Sequence, residues 1–109
     1  MGARNVSPTA LMDQITAGDM PVVLDVRSKA EFNQGHVPGA IHFPFWRAES
    51  RWRELVEMRD RPLVVYCGHG PRAYLAGAAL QRHGFSHVMY LEGHMRKWKQ
   101  MSLPLEVST

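Results

Sequence analysis

Apolar residues fall along this chain in short runs separated by stretches of helical spacing. Pro21-Val22-Val23-Leu24-Asp25-Val26 is apolar on both faces, with a carboxylate only toward its end, which predicts a strand buried on both sides. Leu63 to Tyr66 has the same character. The shorter runs Ala40-Ile41-His42-Phe43, closed by Pro44, and His87 to Leu91 predict two more strands.

Between these runs the helix signals are specific. Ser7 is placed as an N-cap with Pro8 in the first turn, Leu11 and Ile15 share a face, and Gly18 supplies a stop. Ser28 and Glu31 form a capping-box pattern that opens a short helix ending near Gly35. Phe45, Trp52, Leu55 and Val56 recur at roughly helical spacing, which predicts an amphipathic helix from Phe45 to about Met58, broken by Asp60-Arg61-Pro62. A helix from about Arg72 to His83, stopped by Gly84, presents Ala73, Ala76, Gly77 and Leu80, a face small enough to lie close against a sheet. A last helix runs from after Gly93 to about Gln100, and Leu103-Pro104 leads into a polar tail.

Strands alternating with helices imply an α/β fold, a parallel sheet covered on both faces. The chain shows no internal repeat, low-complexity segment or linker, and its 109 residues suffice for one core, so residues 1–109 are expected to form a single domain. Composition is that of a soluble globular protein, 45% hydrophobic and 21% charged. No apolar run reaches membrane-spanning length and the first residues carry no signal-peptide core, so the expected location is cytoplasmic, with no membrane partner. The formal charge of +3 suits small anions. Its cations are scattered; Arg47, Arg51, Arg53 and Arg59 read as the solvated side of a helix, and no nucleic-acid surface is expected. Six histidines lack any ligand spacing, so neither a metal nor a cofactor is expected.

The chemistry concentrates at one strand end. Val64-Val65-Tyr66-Cys67-Gly68-His69-Gly70-Pro71-Arg72-Ala73 reads as strand, glycine-rich turn and helix start, with the only cysteine at the turn. Glycines let successive amides converge on one point, and the helix aims its positive end at the same place. A sulfur there is expected to be held as a thiolate. Arginine is poorly placed against a helix N-terminus unless an anion binds beside it, which makes Arg72 a candidate ligand for that anion. In open α/β sheets sites lie beyond the carboxyl ends of the strands, where Asp25 and Cys67 both fall.

In order and spacing the chain resembles a single-domain rhodanese, a sulfurtransferase. The motifs that carry the resemblance are Leu24-Asp25-Val26-Arg27, Glu31-Phe32, Gly35-His36-Val37-Pro38-Gly39-Ala40, Tyr66-Cys67 through Arg72, and Tyr90-Leu91-Glu92-Gly93 with Trp98 and Leu103-Pro104. The resemblance implies a three-layer sandwich with a mostly parallel central sheet and helices on both faces. It also implies a Cys67 persulfide formed from thiosulfate or a similar small anionic donor, and transfer to a thiol, cyanide or protein acceptor. Gly68, His69, Gly70, Arg72 and Ala73 would bind the anion, with Asp25, Arg27 and His36 in support. His69 is either a proton donor or a solvent-facing residue. A persulfide carrier acting through a protein partner is the alternative. Cysteine phosphatases and arsenate reductases have a Cys-x5-Arg loop, one residue longer than this Cys67–Arg72 loop, and Pro71 removes one N–H from the ring. The chain departs from the family pattern at three places. His94 and Ser102 stand where glycine is usual, and Ala73 stands where serine is common. His94 is expected near the pocket rim.

Overall fold

A computed structural model describes residues 4–108. Among these, five strands form one parallel sheet: β1 (Arg4–Val6), β2 (Val22–Asp25), β3 (Ile41–His42), β4 (Leu63–Tyr66) and β5 (Val88–Leu91), in the order β1-β5-β4-β2-β3. The helices are α1 (Pro8–Thr16), α2 (Lys29–Gln34), α3 (Arg47–Ser50), α4 (Pro71–Arg82) and α5 (His94–Gln100). Ser7 caps α1 through a bond from the Ala10 N–H, and the capping box of Ser28 and Glu31 is complete.

Side chains alternate across the strands and so build two cores. Val22, Leu24, Leu63, Val65 and Cys67 face α3 and α4, together with Ala73, Ala76 and Leu80. Val23, Val64 and Tyr66 face the other way, toward Leu11 of α1 and Met95 and Trp98 of α5. Every residue of β2 and β4 is buried, which is why these strands lack a polar face in the sequence. The expected three-layer α/β sandwich is the observed one. The small face of α4 has a definite use at Gly77, where a Cβ would lie 2.0 Å from the Tyr90 hydroxyl. The helix can approach β5 only because that atom is missing.

One expectation needs correction, and two features were not anticipated. The single amphipathic helix over 45–58 is instead α3, a break at Arg51 (φ −134°), and a 3₁₀ stretch Trp52–Met58. Trp52, Leu55 and Met58 pack on the core at intervals of three, the repeat of a 3₁₀ helix, while Val56 is exposed. Strand β1 has no apolar run to announce it; of its three residues only Val6 is even partly buried. The polar tail is also pinned: His36 and Glu106 exchange backbone hydrogen bonds, Gly39 N–H donates to Glu106 Oε1 at 2.8 Å, and the Trp98 indole donates to the Pro104 carbonyl.

Candidate active site

Cys67 follows the last residue of β4 and is fully buried. Its Sγ accepts the Gly70 N–H at 3.0 Å, so the chain curls back on the sulfur within three residues. Gly70 has a φ of +137°, a conformation that side chains avoid, and its Cβ position would stand 3.1 Å from the Tyr74 ring. The first helical bond of α4 runs from the Tyr74 N–H to the Gly70 carbonyl. Among the described residues, no acceptor takes the N–H groups of Gly68, His69, Arg72 or Ala73. These amides and the Gly70 N–H are the donors the loop can offer to an anion on the sulfur. Pro71 contributes none.

The loop's carbonyls are taken by the next turn of the sheet. Met95 N–H donates to the Cys67 carbonyl and Arg96 N–H to the Gly68 carbonyl, both at 3.0 Å. His94, expected near the pocket rim, is only 3% exposed, and its Nδ1 accepts the Cys67 N–H at 3.2 Å. Burial, and then the charge of His69, hold its pKa below the usual histidine range. His69 itself is exposed.

Arg72 is not a free cation. Its Nη1 and Nη2 donate to the two oxygens of Glu31 at 2.6 and 3.1 Å, a forked pair that ties α4 to α2. The bond to Arg72 is the main reason the Glu31 carboxyl is held down at about 2, and the same bond raises the pKa of Arg72. The guanidinium still lies against the loop, with Nη2 3.3 Å from the Cβ position of Gly68. Sequence reasoning missed Glu31 as a member of the site, because the capping-box pattern already accounted for it. Its Oε1 serves both roles, accepting the Ser28 N–H and the Arg72 Nη1.

Asp25 and Arg27 form a buried ion pair that reaches Tyr66, the residue before Cys67. Asp25 and Tyr66 are register partners on β2 and β4, and the Tyr66 hydroxyl donates to Asp25 Oδ2 at 2.7 Å while accepting the Val37 N–H. Burial first, then the Asp25 charge, pushes the Tyr66 pKa above the phenol range, so the hydroxyl keeps its proton. Arg27 forks onto Asp25 and donates to the Gly35 carbonyl at 2.7 Å. Burial opposes its charge, but Asp25 outweighs that and the net pKa is raised. His36 lies apart from the loop: it stacks on Phe32 at 3.7 Å, and its Nδ1 bonds to the Phe32 carbonyl. Ala73 is buried and adds only its amide. A cleft of about 280 Å³ lined by Gln14, Asp19, Met20 and Arg61 opens beside Val22, at the amino end of β2 and away from Cys67.

Among the described residues, no helix is long and apolar enough to cross a membrane, and no three His, Cys, Asp or Glu side chains gather where a metal could be held. A family described as "Rhodanese-like domain" matches residues 7–101. A sulfurtransferase of Allochromatium vinosum is 30% identical over 92% of this chain and 92% of its own length. The putative sulfur carrier protein YrkF of Bacillus subtilis is 29% identical over 85% of this chain, which spans 49% of that longer protein. The crystal structure of a rhodanese-related protein from Thermoplasma volcanium superposes with a TM-score of 0.82 at 28% identity, covering 96% of this chain and 99% of its own.

Proposed function

The chain belongs to the rhodanese-like domain family, and from that membership we propose that it is a sulfurtransferase in which Cys67 carries the sulfur as a persulfide. The observation that carries this reading is the loop itself, with a sulfur already holding one amide and four more amides around it without acceptors. In the first step the Cys67 thiolate attacks the outer sulfur of thiosulfate. A bond forms between Sγ and that sulfur, the S–S bond of the donor breaks, and its electron pair leaves with sulfite. The loop amides stabilise the negative terminal sulfur that remains. Arg72, with two of its N–H groups on Glu31, has further N–H donors beside the loop, where Nη2 lies 3.3 Å from the Gly68 Cβ position, and these would meet the anionic end of the donor. In the second step a thiolate, cyanide or a partner's cysteine attacks the terminal sulfur, and the thiolate of Cys67 is restored. No general base is required. The requirement for a free thiol suits a reducing compartment such as the cytoplasm.

A second reading is a persulfide carrier that delivers to a protein. Its support is the likeness to YrkF and the exposure of Tyr74 and Leu75, 49% and 61%, in the first turns of α4 beside the loop. Mass spectrometry after incubation with thiosulfate tests both. The protein is expected to gain the mass of one sulfur atom at Cys67 and lose it to cyanide, and Cys67→Ser is expected to gain nothing. Repeated turnover with thiosulfate and cyanide favours the enzyme; a single loading with slow release favours the carrier. A wild type that takes up no sulfur defeats both.

A further inference from the structure

Position 94 has a backbone suited to glycine, yet it carries a histidine. His94 has a φ of 54°, directly after Gly93 at 72°, and shares positive φ with only one other non-glycine among the described residues, Ser102. A side chain makes that conformation costly, although histidine tolerates it better than most. Here the side chain has a definite place. The buried ring stands edge-on to Tyr74 at 5.7 Å, its Nδ1 holds the Cys67 N–H, and its Nε2 is 3.6 Å from the Cβ position of Gly70. One imidazole therefore spans the loop from its first residue to its fourth.

The bond to Cys67 fixes the protonation state that can do this. Nδ1 must offer a lone pair, so the single proton of the neutral ring sits on Nε2. A second proton would set an Nδ1–H against the Cys67 N–H and break the contact. We propose that His94 is a positioning residue of the sulfur-transfer site: its neutral ring fixes the Cys67 amide, and with it the loop shape in which the free amides converge on the sulfur. The kinetic consequence rests on the sulfur-transfer reading; the contact itself does not. Acid should loosen the loop by protonating His94, and burial and His69 place that event below the usual histidine range. The other titratable or charged groups around this turn and loop are Cys67 and His69 from the loop, Tyr74 from α4, Tyr90 of β5 beside Tyr74, Glu92 of the same turn paired with Lys97 of α5, Arg96 on α5, and the Arg72–Glu31 pair.

The test uses the full chain with His94→Asn, His94→Gly and His69→Asn. Asparagine puts an amide oxygen where Nδ1 stands, accepts a left-handed backbone and does not titrate. Single-turnover persulfide formation is followed against pH, and the ¹⁵N–¹H signal of Cys67 is followed in parallel. In the wild type the rate is expected to fall on the acid side with the same midpoint as the Cys67 amide shift. His94→Asn should keep the rate within a few-fold and lose the amide titration together with the part of the acid limb that shares its midpoint, leaving the fall in rate that protonation of the Cys67 thiolate itself produces. His94→Gly should slow transfer on the order of tenfold, as misplacement of a reacting group does. His69→Asn should keep the limb and move it toward higher pH. A Cys67 amide that ignores His94 titration, an unchanged acid limb in His94→Asn, or a wild-type rate and profile in His94→Gly would overturn the proposal. If the wild type forms no persulfide, the sulfur-transfer reading fails while the amide titration still judges His94.

Discussion

β4 and β5 are neighbouring parallel strands, and each ends in a turn with positive φ that leads into a helix, yet the two turns use their backbones in opposite ways. The turn after β5 gives its donors to the other: the Met95 and Arg96 amides take the Cys67 and Gly68 carbonyls, and the His94 ring takes the Cys67 N–H. The turn after β4 gives one amide to its own sulfur and keeps the rest unspent. A loop of free amides is unstable alone, since nothing within it fixes its shape. The contrast teaches that the Cys67 turn is held by its neighbour, through its carbonyls and its first amide, so that its remaining donors stay available.

The comparison breaks most severely at Gly70. Gly70→Ala forces a side chain into φ +137° with its Cβ 3.1 Å from Tyr74, so the loop must open and the Gly70 N–H must leave the sulfur. Persulfide formation is expected to fall on the order of 100-fold, a loss comparable to removing one preorganised donor, with the fold retained by circular dichroism. A rate near wild type would mean that the amides need not converge.

The pair Arg72–Glu31 gives an intermediate effect. Arg72→Ala should raise KM for thiosulfate about tenfold, the scale of one charge-assisted bond, and Arg72→Lys should recover only part, because lysine cannot fork onto both Glu31 oxygens. An unchanged KM in the alanine variant would remove Arg72 from the donor site. The same pair has a pH signature. The Glu31 carboxyl is lowered from 4.5 to about 2 in the folded protein, so its contribution is present above pH 4.5 and is lost as pH falls toward 2. Both side chains are partly exposed, at 30% and 39%, and solvent screening keeps this below about 1 kcal/mol. Urea midpoints across that window should decline less in Glu31→Gln than in wild type; parallel declines would assign the acid loss elsewhere.

What the sequence made legible follows how each feature is encoded. β2, β4 and the Cys67 loop are announced by runs of residues whose types leave few alternatives, and Ser28 with Glu31 names its own geometry. The 45–58 segment misleads because a period of three over Trp52, Leu55 and Met58 is close to a period of 3.6 over so short a stretch, and the break at Arg51 carries no glycine or proline. β1 is an edge strand held by backbone pairing to β5, which side chains do not record. The Glu31–Arg72 fork joins residues 41 apart, and the His94–Cys67 bond joins residues 27 apart. Neither can be read from local spacing. The departure from glycine at 94 and 102 was nonetheless visible, and the backbone shows why glycine is usual there, since both positions have φ 54°.

Those two positions supply the smallest and cleanest test of the comparison. Ser102 is exposed and its hydroxyl makes no hydrogen bond among the described residues, so Ser102→Gly only relieves the backbone. Relief of about 1 kcal/mol or somewhat more, set against the greater chain entropy of glycine, leaves a net gain near ~0.5 kcal/mol in urea denaturation. His94→Gly gains the same relief but loses a buried ring and leaves the Cys67 N–H without its acceptor, a loss of about 1–3 kcal/mol. The two substitutions at equal φ should therefore move stability in opposite directions. If both stabilise by the same amount, the His94 ring does nothing for the loop, and the turn after β5 supports its neighbour through the backbone alone.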